Sequence, residues 1–122
     1  MMERINLAEK FALFEEHWTP KILAESNGQL VKIAKGQGEI VWHSHANEDE
    51  LFLVFKGLLV IRFRDHEVAL GPGELLVVPK GVEHAPYATE EAHILLIEPR
   101  STAHTGAVVS EQTVPLEDQE WI

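Results

Sequence analysis

The sequence predicts an all-β domain of the jelly-roll type, a closed barrel or sandwich preceded by one short helix. Two observations lead to this prediction. Short segments rich in β-branched and large apolar residues recur along the chain, and turns containing Gly, Pro or Asn separate them. Apolar residues make up 45% of the 122 residues, which is enough for one core. We therefore expect a single domain over residues 1–122, with the barrel at about 21–98 and an extended tail at 99–122.

The first predicted element is a short helix near the N-terminus. Asn6 can act as its N-cap, and Glu9 stands three residues later at the capping-box position. Leu7, Phe11 and Phe14 recur at helical spacing, so one face of the helix is apolar. We expect this helix to pack on the outside of the barrel.

A β-hairpin is expected next, followed by a series of short strands. Segments 21–26 and 29–34 flank Asn27-Gly28, a pair that accepts the positive φ angles of a type I′ turn. Apolar runs bounded by turn residues predict further strands at 39–45, 50–55, 58–64, 67–70, 74–78, 84–88 and 92–98. A jelly roll closes such strands into a barrel with few exposed edges and a central pocket. After Pro99 the pattern loosens, and we expect the tail to lie over the barrel or over a partner subunit.

Composition excludes several functional classes. The formal net charge is −10, and the basic residues are scattered, so nucleic-acid binding is disfavoured. No apolar run approaches the roughly 18 residues that a membrane span needs, and the N-terminus has no apolar stretch of signal-peptide type. We therefore expect a cytoplasmic protein that binds neither membranes nor nucleic acid. The absence of cysteine removes disulfides and thiolate metal sites.

Three histidines and one glutamate stand where a small barrel would bring them together. His43 and His45 are two residues apart, so they share a face if their segment is extended. Glu50 opens a strong strand signal, and His84 stands at the start of a later strand. Imidazole and carboxylate are the transition-metal ligands available to a chain without cysteine. Asp49 and Glu48 are alternatives to Glu50, of which Asp49 is the stronger.

At these positions the sequence resembles the cupin family. The first cupin motif consists of Gly, about five residues, His-x-His, three or four residues, Glu, six residues and Gly. The sequence fits this motif from His43 through Gly57, although the leading Gly38 is one residue off. The second motif fits from Gly73 through Pro79-x-Gly81 to His84, but its terminal Asn is Ala88 here.

The resemblance implies a fold, a ligand set and an assembly. The fold is the double-stranded β-helix, or jelly-roll, cupin barrel. The implied ligands of a divalent transition metal ion are His43, His45, Glu50 and His84. The ion is Fe, Mn, Ni, Co, Cu or Zn, among which the ligands do not choose. The segment around His104 resembles the Asn-Thr-Gly tail of a group of small bacterial cupins, with His in place of Asn. Similar small cupins are usually homodimers, and we expect the same here.

Other residues receive less specific expectations. His17, His66, His93 and His104 lack partners at ligand spacing, so we expect none of them to bind the metal. Phe52, Val54 and Pro86 share the faces of Glu50 and His84 and are expected to line the pocket or fill the core. Trp42 alternates with His43 and His45 and should point away from the metal.

Three functions remain open at this level. The first is a metal-dependent oxygenase acting on a small enol, diketone or phenolic compound. The second is a metal-assisted isomerase, epimerase or lyase for a sugar or keto acid, which needs an acid or base beside the metal. Candidates for that group are His93, Tyr87 and Lys32, although the first two can be packed strand residues and Lys32 a surface charge. The third is a non-catalytic module that binds a small ligand.

Overall fold

The computed structural model describes residues 2–122. Within that range one short helix, α1, precedes eight strands, and a 3₁₀ helix lies before the last strand. The bounds are α1 Leu7–Phe11, β1 Lys21–Ser26, β2 Gln29–Glu39, β3 Glu50–Lys56, β4 Leu59–Arg62, β5 Glu67–Leu70, β6 Leu75–Val78, β7 Ala85–Pro99, the 3₁₀ helix Leu116–Asp118 and β8 Glu120–Trp121.

The long strand β7 is shared by the two halves of the barrel. One of its edges pairs with β2 over nearly its whole length, from Gln29↔Pro99 to Glu39↔Tyr87. Its other edge pairs with β4 near its start and with β3 near its end. Strand β5 continues the first half beyond β4, and β6 continues the second half beyond β3. The sheet therefore folds over on itself, which confirms the predicted all-β jelly-roll barrel.

The core lies between the two halves of this folded sheet. Its most deeply buried side chains are Val54, Leu59, Ile61 and Ile94, each no more than 1% exposed. A second apolar cluster lies under α1, where Phe11 and Phe14 pack against Ile33. The predicted helix is confirmed, since Asn6 Oδ1 accepts a hydrogen bond from the Glu9 amide at 3.0 Å.

The predicted hairpin is also confirmed in its turn residues. Asn27 and Gly28 have φ angles of 53° and 77°, the left-handed pair that a type I′ turn requires. Strands β1 and β2 then pair from Ser26↔Gln29 to Lys21↔Ile33. The turn chemistry thus sets the register of the first strand pair.

The predicted strand at 39–45 is wrong as a regular strand. Strand β2 ends at Glu39, and beyond it only His43 forms a bridge, with His84. Gly38 has a φ angle of 74°, a left-handed conformation that interrupts strand geometry. The Val41 amide then donates to the side-chain oxygen of Gln112 at 2.9 Å instead of to a neighbouring strand.

Two further boundaries differ from the prediction. The strands expected at 84–88 and 92–98 are one strand, β7, because Thr89, Glu90 and Glu91 remain extended between them. The tail is less extended than expected, since it contains turns and a 3₁₀ helix before β8 pairs in parallel with β1. No helix in the described range is long and apolar enough to cross a membrane.

Candidate metal centre

The side chains of His43, His45, Glu50 and His84 converge on one point inside the barrel. Each offers one donor atom, and these atoms all lie within 4.8 Å of one another. Every one of the four residues is at least 96% buried. Histidine and carboxylate donors gathered in this way form a set that could hold a metal ion.

Backbone pairing places these four groups. The main chains of His43 and His84 hydrogen-bond reciprocally, at 3.0 Å and 2.9 Å, which brings two imidazoles together from distant parts of the chain. Glu50 is the first residue of β3, and the amide of Gly81 holds the carbonyl of His45 at 2.7 Å. The glycine turn of the second motif is therefore in direct contact with the histidine pair of the first.

Two of the imidazoles are oriented by backbone carbonyls. His43 Nδ1 lies 2.7 Å from the carbonyl oxygen of Val41, and His84 Nδ1 lies 2.9 Å from that of Val82. A carbonyl oxygen can only accept, so each Nδ1 carries the proton and each Nε2 has a free lone pair. Metal-binding histidines are commonly held in this way by a hydrogen bond from the other ring nitrogen.

Several polar atoms of the cluster are buried without a hydrogen-bond partner among residues 2–122. They are both ring nitrogens of His45, Nε2 of His84 and Oε1 of Glu50. That oxygen lies 3.5 Å from His45 Nε2 and 3.4 Å from His84 Nε2. A buried polar group left unpaired costs about 1–3 kcal/mol. A metal ion bound between these atoms would remove that cost, so the residues present fit such an ion.

The protonation states also suit metal binding. Burial lowers the pKa of His43 to about 4, and the nearby imidazoles of His84 and His45 act in the same direction. Burial alone would raise the pKa of Glu50, but the nearby side chains of His45, His84 and Glu98 outweigh it and lower the pKa below its ordinary value. At neutral pH His43 is therefore neutral and Glu50 ionised, the forms in which these groups bind metals.

The two alternative carboxylates lie outside the cluster. Asp49 Oδ1 accepts the amide hydrogen of Lys80 at 2.8 Å, and Glu48 Oε2 accepts from the Ser101 hydroxyl at 3.1 Å. Both side chains are thereby turned toward neighbouring loops. Glu50 is the carboxylate that the fold brings to the three histidines.

A small cavity opens beside the cluster. The centres of water molecules can occupy about 40 Å³ of this cavity, which is room for roughly three waters. Most of its wall is apolar, and Phe52 and Pro86 belong to it as expected, whereas Val54 is in the core. The lining residues are Trp18, Pro20, Ala34, Ile40, His43, Glu50, Phe52, Pro86, Ile94, Leu96, Glu98 and His104.

A buried ion pair stands next to this cavity. Lys32 Nζ lies 3.0 Å from Glu98 Oε1, and the two residues are 0% and 4% exposed. The interpretation of Lys32 as a surface charge is therefore wrong. Burial and the negative charge of Glu50 raise the pKa of Glu98 well above its ordinary value. The Glu98 carboxyl group therefore keeps its proton to a higher pH than an ordinary glutamate does.

His104 was not expected to bind the metal and is not among the four clustered residues, but the sequence did not predict its position in the cavity wall. The C-terminal tail carries its ring into the cavity wall, near His43 and Glu98. Its Nδ1 accepts a hydrogen bond from the Val114 amide at 2.9 Å, and burial, aided by His43, lowers its pKa to about 4. The only sequence signal for this residue is the resemblance of its segment to the tail of small cupins.

The remaining histidines and aromatic residues lie elsewhere. His93 stacks on Phe11 with ring centroids 4.5 Å apart, and the Tyr87 ring lies 5.0 Å from the Arg62 guanidinium. His17 and His66 contact acidic neighbours at the surface. Trp42 points away from the cluster as expected, and the guanidinium of Arg64 lies 3.8 Å from its ring centroid.

Comparison with known proteins gives a consistent result. Residues 29–98, more than half of the chain, match the sequence profile of the Cupin domain family Cupin_2. The crystal structure of a cupin-2 domain containing protein from Shewanella frigidimarina NCIMB 400 is 52% identical with a TM-score of 0.77, and the match covers 78% of this chain and 93% of that one. Protein NMB1881 from Neisseria meningitidis is 32% identical with a TM-score of 0.72, over 80% of this chain and 99% of that one.

A curated relative from Bacillus subtilis (strain 168), the uncharacterized protein YdbB, is 43% identical over 63 residues. The match covers 51% of this chain and 56% of YdbB, so it spans only about half the length of that relative. The shared segment, the folded-over sheet and the histidine motifs that meet inside it all lead to one assignment: the chain belongs to the cupin family.

Proposed function

We propose that this cupin is a metal-dependent enzyme, an oxygenase acting on a small organic molecule, with His43, His45, Glu50 and His84 as its metal ligands. One observation carries the proposal. Four donor groups are buried together, and three of them hold polar atoms that no residue in the range 2–122 satisfies. A site of this kind beside a small cavity supports a bound ion that acts on a molecule next to it.

The donor set determines what such an ion can contribute. Three neutral imidazoles and one carboxylate leave a net charge of about +1 at a divalent ion. When bound, the ion supplies Lewis acidity and, if it is Fe or Mn, the redox chemistry that dioxygen activation requires. Ni, Co, Cu and Zn also accept these donors, so the metal has to be identified by measurement.

The cavity favours a small and largely apolar substrate. Its wall contains neither Arg nor free Lys, whereas recognition of a phosphate group relies on such cations. Trp18, Ile40 and Phe52 instead provide flat or branched apolar contacts. A small enol, diketone or phenolic compound fits this wall better than a phosphosugar.

A second candidate function is a metal-assisted isomerase, epimerase or lyase. The observation that favours it is the carboxyl group of Glu98, which lines the cavity and is paired with Lys32 at 3.0 Å. A carboxyl group whose pKa is raised keeps its proton to a higher pH, so it can serve as a general acid. Such chemistry needs an acid or base beside the metal, and of the earlier candidates Lys32 lies nearest while His93 and Tyr87 lie elsewhere.

Elemental analysis and oxygen uptake test the proposal together. The protein should be purified without a nickel column, and its metal content measured for the unmodified chain, for His84→Ala and for His66→Ala. His66 is exposed at a hairpin, so its replacement is the matched control. We expect a metal content near one per chain, retained in the control and lost in His84→Ala, because one ligand of four is removed.

The same proteins should then be screened for oxygen consumption with small enols, diketones and phenols. Uptake in proportion to bound Fe or Mn supports the oxygenase. Rearrangement of a small keto acid or sugar without oxygen uptake supports the second candidate. Tight binding of a small ligand with neither reaction refutes the enzyme proposal and leaves a binding module. The cytoplasmic location stays a prediction from the sequence.

A further inference from the structure

The C-terminal tail fixes the position of the His104 ring from outside the barrel. Gln112 bridges the segment after β2, since its side chain accepts from the Val41 amide at 2.9 Å and donates to the Glu39 carbonyl at 2.7 Å. The Thr105 hydroxyl is 2.6 Å from both the Val108 carbonyl and the Thr113 hydroxyl. His104 is therefore held by a tail segment that is itself bonded to the loop carrying His43.

The hydrogen bond between Val114 and His104 fixes which ring nitrogen carries the proton. A backbone amide can only donate, so Nδ1 of His104 must be an unprotonated acceptor at 2.9 Å. In a neutral imidazole the other nitrogen, Nε2, then bears the hydrogen. Among the described residues 2–122, the hydrogen bond to Nδ1 is the one that the His104 side chain forms, so Nε2 has no protein partner. The ring thus has one donor that the protein itself does not use.

The unused donor lies on the side of the ring away from the tail backbone. The two nitrogens of an imidazole point to different sides of the ring, and Nδ1 is directed to the tail backbone. The ring itself belongs to the cavity wall together with His43 and Glu98. Elsewhere in that wall the indole nitrogen of Trp18 is already bonded to the Gln37 carbonyl at 3.0 Å. Nε2–H is therefore available to a molecule that enters the cavity.

We propose that His104 is a substrate-binding residue, whose Nε2–H donates a hydrogen bond to a carbonyl, enolate or carboxylate oxygen of a small oxo compound in the cavity. The inference rests on the proposed function, since it takes this cavity as the substrate site of the metal enzyme. The ligand is small because the cavity has room for roughly three water molecules beside the cluster. Its apolar part contacts Phe52 and Pro86, which line the same space.

Two substitutions separate the donor role of His104 from its role in holding the tail. His104→Asn keeps an acceptor near the position of Nδ1, so the Val114 amide stays paired, but it removes the donor at Nε2. His104→Gln keeps a donor near the position of Nε2 and gives up the acceptor for Val114. His66→Asn makes the same change at an exposed histidine and is the control.

Pyruvate, a small oxo compound with acceptor oxygens, serves as the probe. Its affinity should be measured by calorimetric titration of the zinc-loaded protein, because zinc has no redox chemistry and the probe is not oxidised. We expect His104→Asn to bind pyruvate about three- to tenfold more weakly, the usual effect of losing one hydrogen bond. His104→Gln should lie closer to the unmodified protein, and His66→Asn should equal it. Zinc content should be the same in all four proteins.

Nitrogen NMR of the imidazoles provides a second measurement that does not depend on affinity. Addition of pyruvate should shift the Nε2–H resonance of His104 and leave that of His66 unchanged. The inference is overturned if His104→Asn binds pyruvate as tightly as the unmodified protein. It is also overturned if the Asn and Gln variants lose affinity equally and in parallel with their melting temperatures, since the residue then only holds the tail.

Failure of the proposed function gives a different pattern. If the unmodified protein retains no zinc, the metal-enzyme proposal fails, and titration of the metal-free protein with pyruvate still decides whether His104 is a donor. If zinc is retained but the unmodified protein does not bind pyruvate, the ligand class assigned to this cavity is wrong.

Discussion

Replacement of Gly106 by Ala tests how tightly the tail is fitted to the histidine loop. A Cβ atom at Gly106 would collide with the carbonyl oxygen of Ser44, the residue between His43 and His45. Gly106 also has a φ angle of 59°, in the left-handed region. The left-handed conformation costs an alanine about 1–2 kcal/mol, and forced overpacking adds about 1–3 kcal/mol.

Gly28→Ala separates these two contributions. Gly28 has a φ angle of 77°, but a Cβ atom there meets nothing within 4 Å. Its replacement should therefore cost only the conformational part, about 1–2 kcal/mol. We expect Gly106→Ala to lower the free energy of unfolding by about 1–3 kcal/mol more than Gly28→Ala does.

Urea unfolding of both variants measures this difference. Hydrogen exchange at the Val41 amide gives a local readout, because that amide is held by Gln112 of the tail and should exchange faster in Gly106→Ala. If the two variants lose the same stability within about 0.5 kcal/mol and the Val41 amide stays protected, the tail is not packed on Ser44 as described.

Three further predictions concern the whole protein. Chelation should lower the melting temperature and leave the β-sheet circular dichroism intact, because the apolar core can hold the barrel without an ion; loss of the dichroism at room temperature would contradict this. In metal-free protein the stability should fall as the pH drops from about 6.5 to about 4, because the unfolded chain binds protons there that folded His43 and His104, whose pKa values burial lowers to about 4, do not. His104→Asn should make the pH dependence of the urea midpoint less steep and leave the part that comes from His43, and an unchanged slope would refute the assignment. We also propose that the chain forms a homodimer, because Leu75, Val109 and Trp121 are 54%, 87% and 55% exposed and such apolar surface is commonly buried by two-fold association; sedimentation as a monomer at tens of micromolar would exclude it.

Local chemistry explains which features of the fold could be predicted from the sequence. The Asn27-Gly28 turn, the N-cap at Asn6 and the apolar run that begins at Glu50 each depend on residues close in the chain. The four clustered side chains could be named because they stand in two motifs that resemble those of the cupin family. These features are read correctly because no distant segment competes with them.

The features that the sequence did not reveal all depend on contacts between distant segments of the chain. The segment after Glu39 is not a strand because Gln112, far along the chain, takes the hydrogen bond of Val41. Lys32 is buried because β7 places Glu98 beside it, and no pattern around Lys32 announces that partner. His104 reaches the cavity only through the folding of the tail, for which the sequence offers no periodic signal.

The loop that carries His43 is clamped on both sides, and this affects which ions the site can select. The main chain of His84 holds one side of the loop and the Gln112 side chain holds the other. The backbone that carries His43 is then positioned before an ion arrives, which limits how far the loop rearranges to suit each metal. The affinities of this site for the divalent ions of the first transition row should therefore depart from the usual order, in which Cu binds most tightly. The ion whose preferred bond angles match those of the site should bind more tightly than that order predicts. Competition dialysis with paired metals would measure that departure directly.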